Sequence, residues 1–135
     1  MNRLKFRVWD EANKKLRYDV TGFEHGVDNE MVGVFLDGDY YSIDQQVIVM
    51  QSTGLYDKNS KEIYEGDILE FVYHEGTEKE KKYIKYVRYF LGMFEVRERL
   101  SDIIGESLGS NITRAMNPIY RVVGNVCENK EMIKC

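Results

Sequence analysis

A mainly β fold with one or two short helices is the class this sequence predicts, on three observations. Apolar residues recur with a period of two along most of the chain, which is the period of a strand. Turn-forming residues punctuate those stretches at short intervals. Helical spacing is confined to one segment around 100–108. The 135 residues suffice for one domain or two small subdomains, and 43% hydrophobic beside 31% charged residues is the balance of a core-forming soluble chain.

The elements follow in order. Leu4, Phe6 and Val8 alternate with Lys5, Arg7 and Trp9, which predicts a half-buried strand. Asp10-Glu11-Ala12-Asn13 reads as a turn, and Leu16, Tyr18 and Val20 resume the alternation, so residues 3–20 form a hairpin. Residues 31–36 and 40–43 flank Asp37-Gly38-Asp39, whose Asp-Gly supplies the positive φ values of a tight hairpin turn. Val47 to Met50 is a continuous apolar run, expected as a fully buried strand. Residues 52–67 read as a turn-rich connection pinned to the core by Ile63 and Tyr64.

Four more strands are expected over 68–73, 83–90, 93–97 and 119–127, the first two joined by a charged tip at 75–82 and the last interrupted by Gly124. Leu100, Ile103, Ile104 and Leu108 predict a helix stopped by Gly109, and Asn129 predicts the cap of a last helical turn. The chain thus divides into an N-terminal β-hairpin subdomain, 1–51, and a C-terminal subdomain, 52–135. The strand count of the second matches an SH3-like barrel carrying the short helix near 100–108.

The net charge of -4 is unevenly spread. Residues 1–18 carry six bases and two acids, residues 19–70 two bases and twelve acids, and residues 71–135 eleven bases and nine acids. The acidic stretch either folds against the basic segments or presents a face to a basic partner, with Asp28, Glu30, Asp37 and Asp39 as its candidate residues. No apolar run approaches the length of a membrane span, and the amino terminus lacks the apolar core of a secretory signal. Cys127 and Cys135 read as two thiols in a reducing cytoplasm.

Enzyme templates fail. The sequence contains no G-x-S-x-G, H-E-x-x-H, Walker loop or G-x-G-x-x-G. A calcium loop begun at Asp37 would place Ser42 where Gly is needed and Ile48 where Glu is needed. Glu62, Glu65, Asp67 and Glu70 read as turn chemistry, with Gly66 left-handed and Asp67 bonding nearby amides, because no His, Lys or metal ligand completes an acid–base site. No cofactor, metal or catalytic residue is expected. His25 and His74 fall in loops and are expected to face solvent.

Residues 79–90 interleave five bases with four aromatics, a mixture that suits single-stranded nucleic acid, where rings stack on bases and cations follow phosphates. Lys81, Lys82, Tyr83, Lys85, Tyr86 and Arg88 are the candidates. The competing reading is a strand with solvated lysines and a half-buried tyrosine face.

Three segments together resemble the YopX-like family, small proteins encoded by phages and prophages of bacteria. They are Lys5-Phe6-Arg7-Val8-Trp9-Asp10 with Lys14-Lys15-Leu16; the run 49–69, VMQSTGLYDKNSKEIYEGDIL; and Val122-Val123-Gly124-Asn125-Val126-Cys127-Glu128-Asn129. The resemblance implies a mainly β protein with a C-terminal SH3-like barrel, working in a bacterial cytoplasm, and it brings no catalytic residues. The run 49–69 reads first as a structural connection. Taken as a site, it offers Tyr56, Asp57, Asn59 and Tyr64 as exposed candidates. The leading expectation is a non-enzymatic accessory protein that binds an unidentified phage or host protein. Beside it stand a nucleic-acid binder using 79–90, an acidic decoy that imitates DNA charge, and self-association through tyrosines and β edges.

Overall fold

The computed structural model describes residues 4–43, 47–90, 92–99, 106–108 and 119–133. The chain divides into two compact units between Ser52 and Thr53.

The first unit holds β1 (Phe6–Asp10), β2 (Lys15–Arg17), β3 (Val20–His25), β4 (Met31–Leu36), β5 (Asp39–Ser42) and the first half of β6 (Val47–Tyr56). β1 lies between β2 and β6, both antiparallel, with Val8 opposite Arg17 on one side and Val49 on the other. That central place overturns the half-buried strand expected from the alternation. Arg7 is 1% exposed and Trp9 3%, beside Val8 at 0%. The Arg7 guanidinium is accommodated in part by donating from Nη2 to the Met50 sulfur at 3.7 Å.

β3, β4 and β5 form a separate antiparallel sheet in that order. The expected Asp-Gly hairpin is present. Leu36 pairs with Asp39, leaving Asp37 (φ 49°) and Gly38 (φ 85°) as a two-residue loop with both residues left-handed. Val8, Val34, Leu36 and Val47 make the core of this unit. The run 47–50 is not uniformly buried as expected, because Ile48 is 51% exposed between buried Val47 and half-buried Val49.

The second unit takes β6 onward, through β7 (Glu62–Tyr64), β8 (Asp67–Tyr73), β9 (Lys81–Phe90), β10 (Met93–Arg97), β11 (Glu106–Ser107) and β12 (Ile119–Asn125), to a 3-10 turn at Lys130–Met132. Its sheet runs β11-β10-β9-β8-β12, all antiparallel. One face buries Ile63, Leu69, Phe71, Val87, Val96 and Leu108, while Ile68 and Tyr86 pack with Ile133 on the other. β8 supplies both cores because successive side chains on a strand point to opposite faces.

Several expectations are corrected here. The connection expected from residue 52 begins as strand, since β6 continues to Tyr56 and passes through Gly54 at φ 77°. Of the helix expected over 100–108, Glu106–Ser107 instead pair with β10, and residues 100–105 lie outside the described residues. β12 runs through Gly124, with the register shifting between Val122 and Gly124. Asn129 does precede a helical turn, but its side chain accepts from the Asn125 amide at 3.2 Å and caps nothing.

Candidate functional site

The site begins with the register of β8 and β9. Leu69 pairs with Lys85, Phe71 with Tyr83, and Tyr73 with Lys81, so these six residues share one face of the sheet. Towards the middle of the sheet that face is core, carried by Leu69, Phe71 and Val87. Towards the β8–β9 tip the core gives out, and Tyr73, Lys81 and Tyr83 continue the same face into solvent.

The rings of Tyr73 and Tyr83 meet edge to face at 5.6 Å. Lys85 is only 8% exposed, with Nζ 5.3 Å from the Phe71 ring centre and 5.9 Å from that of Tyr83. Tyr73, His74, Lys79, Lys81, Tyr83, Lys85 and Glu98 line a cleft of about 600 Å³. Three lysines against one carboxylate leave it basic, and two rings give it flat apolar walls.

The tip is held in shape by its own side chains. His74 stands at φ 55°, Thr77 donates from its hydroxyl to the His74 carbonyl at 2.7 Å, and the Gly76 amide donates to Glu80 Oε1 at 3.2 Å. Lys79 and His74 are therefore placed over the cleft by an organised loop.

The structure splits the six candidates of 79–90 between two faces. Lys81, Tyr83 and Lys85 line the cleft, whereas Tyr86 and Arg88 point the other way, with the Arg88 guanidinium 4.7 Å from the Phe90 ring. Tyr86 is 7% exposed in the opposite core and offers no stacking surface. Lys82 also lies on that other face, where it borders a smaller recess with Ile84 and Met132. Tyr73, His74, Lys79 and Glu98 are cleft residues that the sequence did not single out, because only the hairpin register brings 73 opposite 81.

The candidates of 49–69 divide differently. Tyr56 is 50% exposed and Asn59 is exposed, but Asp57 and Tyr64 are each 7% exposed, against the expectation of surface positions. Asp57 Oδ1 accepts from the Asn59 and Lys61 amides at 2.8 and 2.9 Å, and Oδ2 accepts from the Val122 amide at 2.8 Å. Burial pushes this carboxyl upward, and the three amide donors more than offset it, so it titrates below the usual aspartate range. Burial, with the Asp57 charge nearby, pushes the Tyr120 phenol up, and its hydroxyl donates to the Tyr56 carbonyl at 2.8 Å.

A second carboxylate closes the other end of the same connection. The Tyr64 amide donates to Asp67 Oδ2 at 2.8 Å around left-handed Gly66 (φ 87°), the turn chemistry expected for this cluster. The run 56–67 is thus held as structure by Asp57 and Asp67.

Asp28, Glu30, Asp37 and Asp39 are all exposed in the first unit. They do not converge. The first two precede β4 and the other two follow it, so six strand residues separate the pairs, roughly 20 Å of chain. His25 and His74 are both exposed. Among the described residues no group of three or more His, Cys, Asp or Glu could hold a metal ion, and no helix is long and apolar enough to cross a membrane.

A search of the curated proteins finds no match to the chain. Among solved structures, the crystal structure of protein EF1440 from Enterococcus faecalis is similar, with 30% sequence identity and a TM-score of 0.70, covering 99% of this chain and 100% of that one. The family model described as YopX protein matches residues 5–134, nearly the whole length, and on that match the chain belongs to the YopX family.

Proposed function

We propose that this YopX-family protein is a non-enzymatic binding module whose second unit takes single-stranded nucleic acid in the cleft at the β8–β9 tip. The observation that carries the reading is the convergence of Lys79, Lys81, Lys85 and His74 with the rings of Tyr73 and Tyr83 around one space of about 600 Å³. Cations track a phosphate backbone, and aromatic faces stack on bases that are free of a partner strand. A duplex hides those base faces, so the rings favour single strands. The absence of a nucleophile–base arrangement in the sequence supports a binding role rather than catalysis.

Family membership supports a phage or prophage source and a bacterial cytoplasm as the working compartment. The strand order of the second unit, a meander β8-β9-β10-β11 with β12 returning beside β8, supports an SH3-like architecture for it. A protein partner remains the competing ligand. The exposed acids of the first unit argue for it less strongly than the cleft argues for nucleic acid, since they lie at opposite ends of β4.

The test is titration of a fluorescent single-stranded oligonucleotide and of its duplex, at several salt concentrations. The single strand is expected to bind more tightly, with a slope of log affinity against log salt of about -1.4 for the two exposed lysines, Lys79 and Lys81. Replacing Lys79 and Lys81 together by Ala is expected to bring the slope close to zero. No binding at low salt, or binding indifferent to the double replacement, would overturn the proposal. In that event, a protein captured from bacterial lysate and surviving nuclease treatment would take the place of nucleic acid.

A further inference from the structure

We infer that His74 makes the cleft's hold on a single strand depend on pH: its imidazolium adds a phosphate contact in mild acid and withdraws it above neutrality. This deepens the single-strand reading and rests on it. His74 lines the same space as Lys79 and Lys81 at the β8–β9 tip, and all three are exposed. Histidine is the side chain whose charge ordinarily changes between about pH 5 and 8. A neutral imidazole offers a phosphate one N–H donor, whereas an imidazolium offers two donors and a full charge.

The tip fixes where that charge arises. His74 leaves β8 in the left-handed conformation, at φ 55°. Its carbonyl accepts from the Thr77 amide at 3.2 Å and from the Thr77 hydroxyl at 2.7 Å. The same hydroxyl oxygen accepts from the Lys79 amide at 3.2 Å, so one turn anchors the backbone of His74 and Lys79 together. Protonation therefore adds a cation beside an existing one, at a place the loop already holds.

The other ionisable groups facing the cleft are Tyr73 from β8, Lys79 from the tip, Lys81, Tyr83 and Lys85 from β9, and Glu98 just beyond β10. Glu75, Glu78 and Glu80 stand on the tip outside the cleft lining. Lysine and tyrosine ordinarily titrate above the histidine range and glutamate below it. The chain has two histidines, and His25 belongs to the first unit. His74 is thus the one cleft residue of a type that changes charge near neutrality.

The experiment measures binding of oligo(dT) by fluorescence anisotropy at about pH 5.5 and about pH 7.5, a range in which neither thymine nor the phosphodiester titrates. At about 0.1 M salt the native protein is expected to bind about threefold more tightly at the lower pH, with the salt slope steepening from about -1.4 to about -2. His74→Asn, a residue that tolerates the left-handed backbone, is expected to bind alike at both pH values, with a slope of about -1.4. His74→Lys is expected to hold the tighter affinity at both, and His25→Asn to keep the native dependence. Salt-dependent binding of oligo(dT) by each variant shows that it is folded. Native binding indifferent to pH, a dependence that survives in His74→Asn, or one that is lost in His25→Asn overturns the role of His74 and leaves the single-strand reading intact. Failure of the native protein to bind at either pH overturns the single-strand reading itself.

Discussion

The Asp57 carboxylate accepts the backbone N–H of Val122 at 2.8 Å across 65 positions of sequence. With its other oxygen it holds the amides of Asn59 and Lys61, so one buried side chain both shapes the 57–61 loop and fastens it to β12. The Lys58 amide donates to the Tyr120 carbonyl at 3.0 Å and completes the seam. A buried charge survives here because three oriented amide dipoles replace its water.

Asp57→Asn puts an amide NH2 or a rotated carbonyl where three N–H donors converge, so at least one donor is left facing another. The expected cost at neutral pH is about 2 kcal/mol, read from urea unfolding. The native carboxyl titrates below its unfolded value, so its contribution is full above the ordinary aspartate range, about pH 4, and is lost as pH falls through the lowered native value. The gap between native protein and variant should therefore narrow below about pH 4. A gap independent of pH would show that the carboxylate charge is not what holds the loop.

Gly124 and Asn129 form a second coupled pair. A Cβ on Gly124 would stand 2.5 Å from Asn129 Oδ1, the atom that accepts from the Asn125 amide. Gly124→Ala is expected to destabilise by about 1 to 2 kcal/mol, and by clearly less in a background that already carries Asn129→Ala. Thermal unfolding of the four proteins of that cycle measures the coupling. Additive costs would mean that the Asn129 side chain simply swings aside.

Glu95 and Arg97 form an ion pair two residues apart on β10, at 3% and 2% side-chain exposure, with the Arg97 guanidinium 5.0 Å from the Phe90 ring. Replacing Arg97 alone by Met leaves a buried carboxylate without this partner and should cost about 3 kcal/mol. Replacing both, Arg97→Met with Glu95→Leu, should recover most of the loss. Equal destabilisation by the single and double replacements would contradict this account.

For the cleft, Tyr83→Ala is expected to weaken single-strand binding by about 1 to 3 kcal/mol through loss of a stacking face. Arg88→Ala should leave binding within twofold or so, because Arg88 lies on the other face of β9 over Phe90. Equal losses in the two variants would mean that charge anywhere on β9 suffices and that the cleft has no geometric role.

Much of the fold is legible from local chemistry. The Asp37-Gly38 hairpin is visible because only a few residues tolerate two successive left-handed conformations. The strand over 68–73, which the structure begins one residue earlier at Asp67, the tip after it and the Gly66 turn are visible for similar reasons. The errors are equally particular. Ser52 to Tyr56 resembles a loop because Ser, Thr and Gly dominate it, yet neighbouring strands hold it extended. Asp57 resembles a surface residue because one of the three amides that replace its water comes from a strand 65 positions away. Glu106–Ser107 lies in a stretch of helical spacing that pairing with β10 overrides.

By itself, then, the sequence determined the strand-rich class, the tight turns and the presence of a basic-aromatic segment at 79–90, because backbone preference and period-two alternation act within a few residues. Only the tertiary structure decided which of those residues act together. The β8–β9 register set Tyr73 beside Lys81 and turned Tyr86 and Arg88 away, and the end of β10 brought Glu98 to the same cleft. Which face of a strand becomes core, and where that core stops, depends on strands distant in the chain, and no local pattern encodes it.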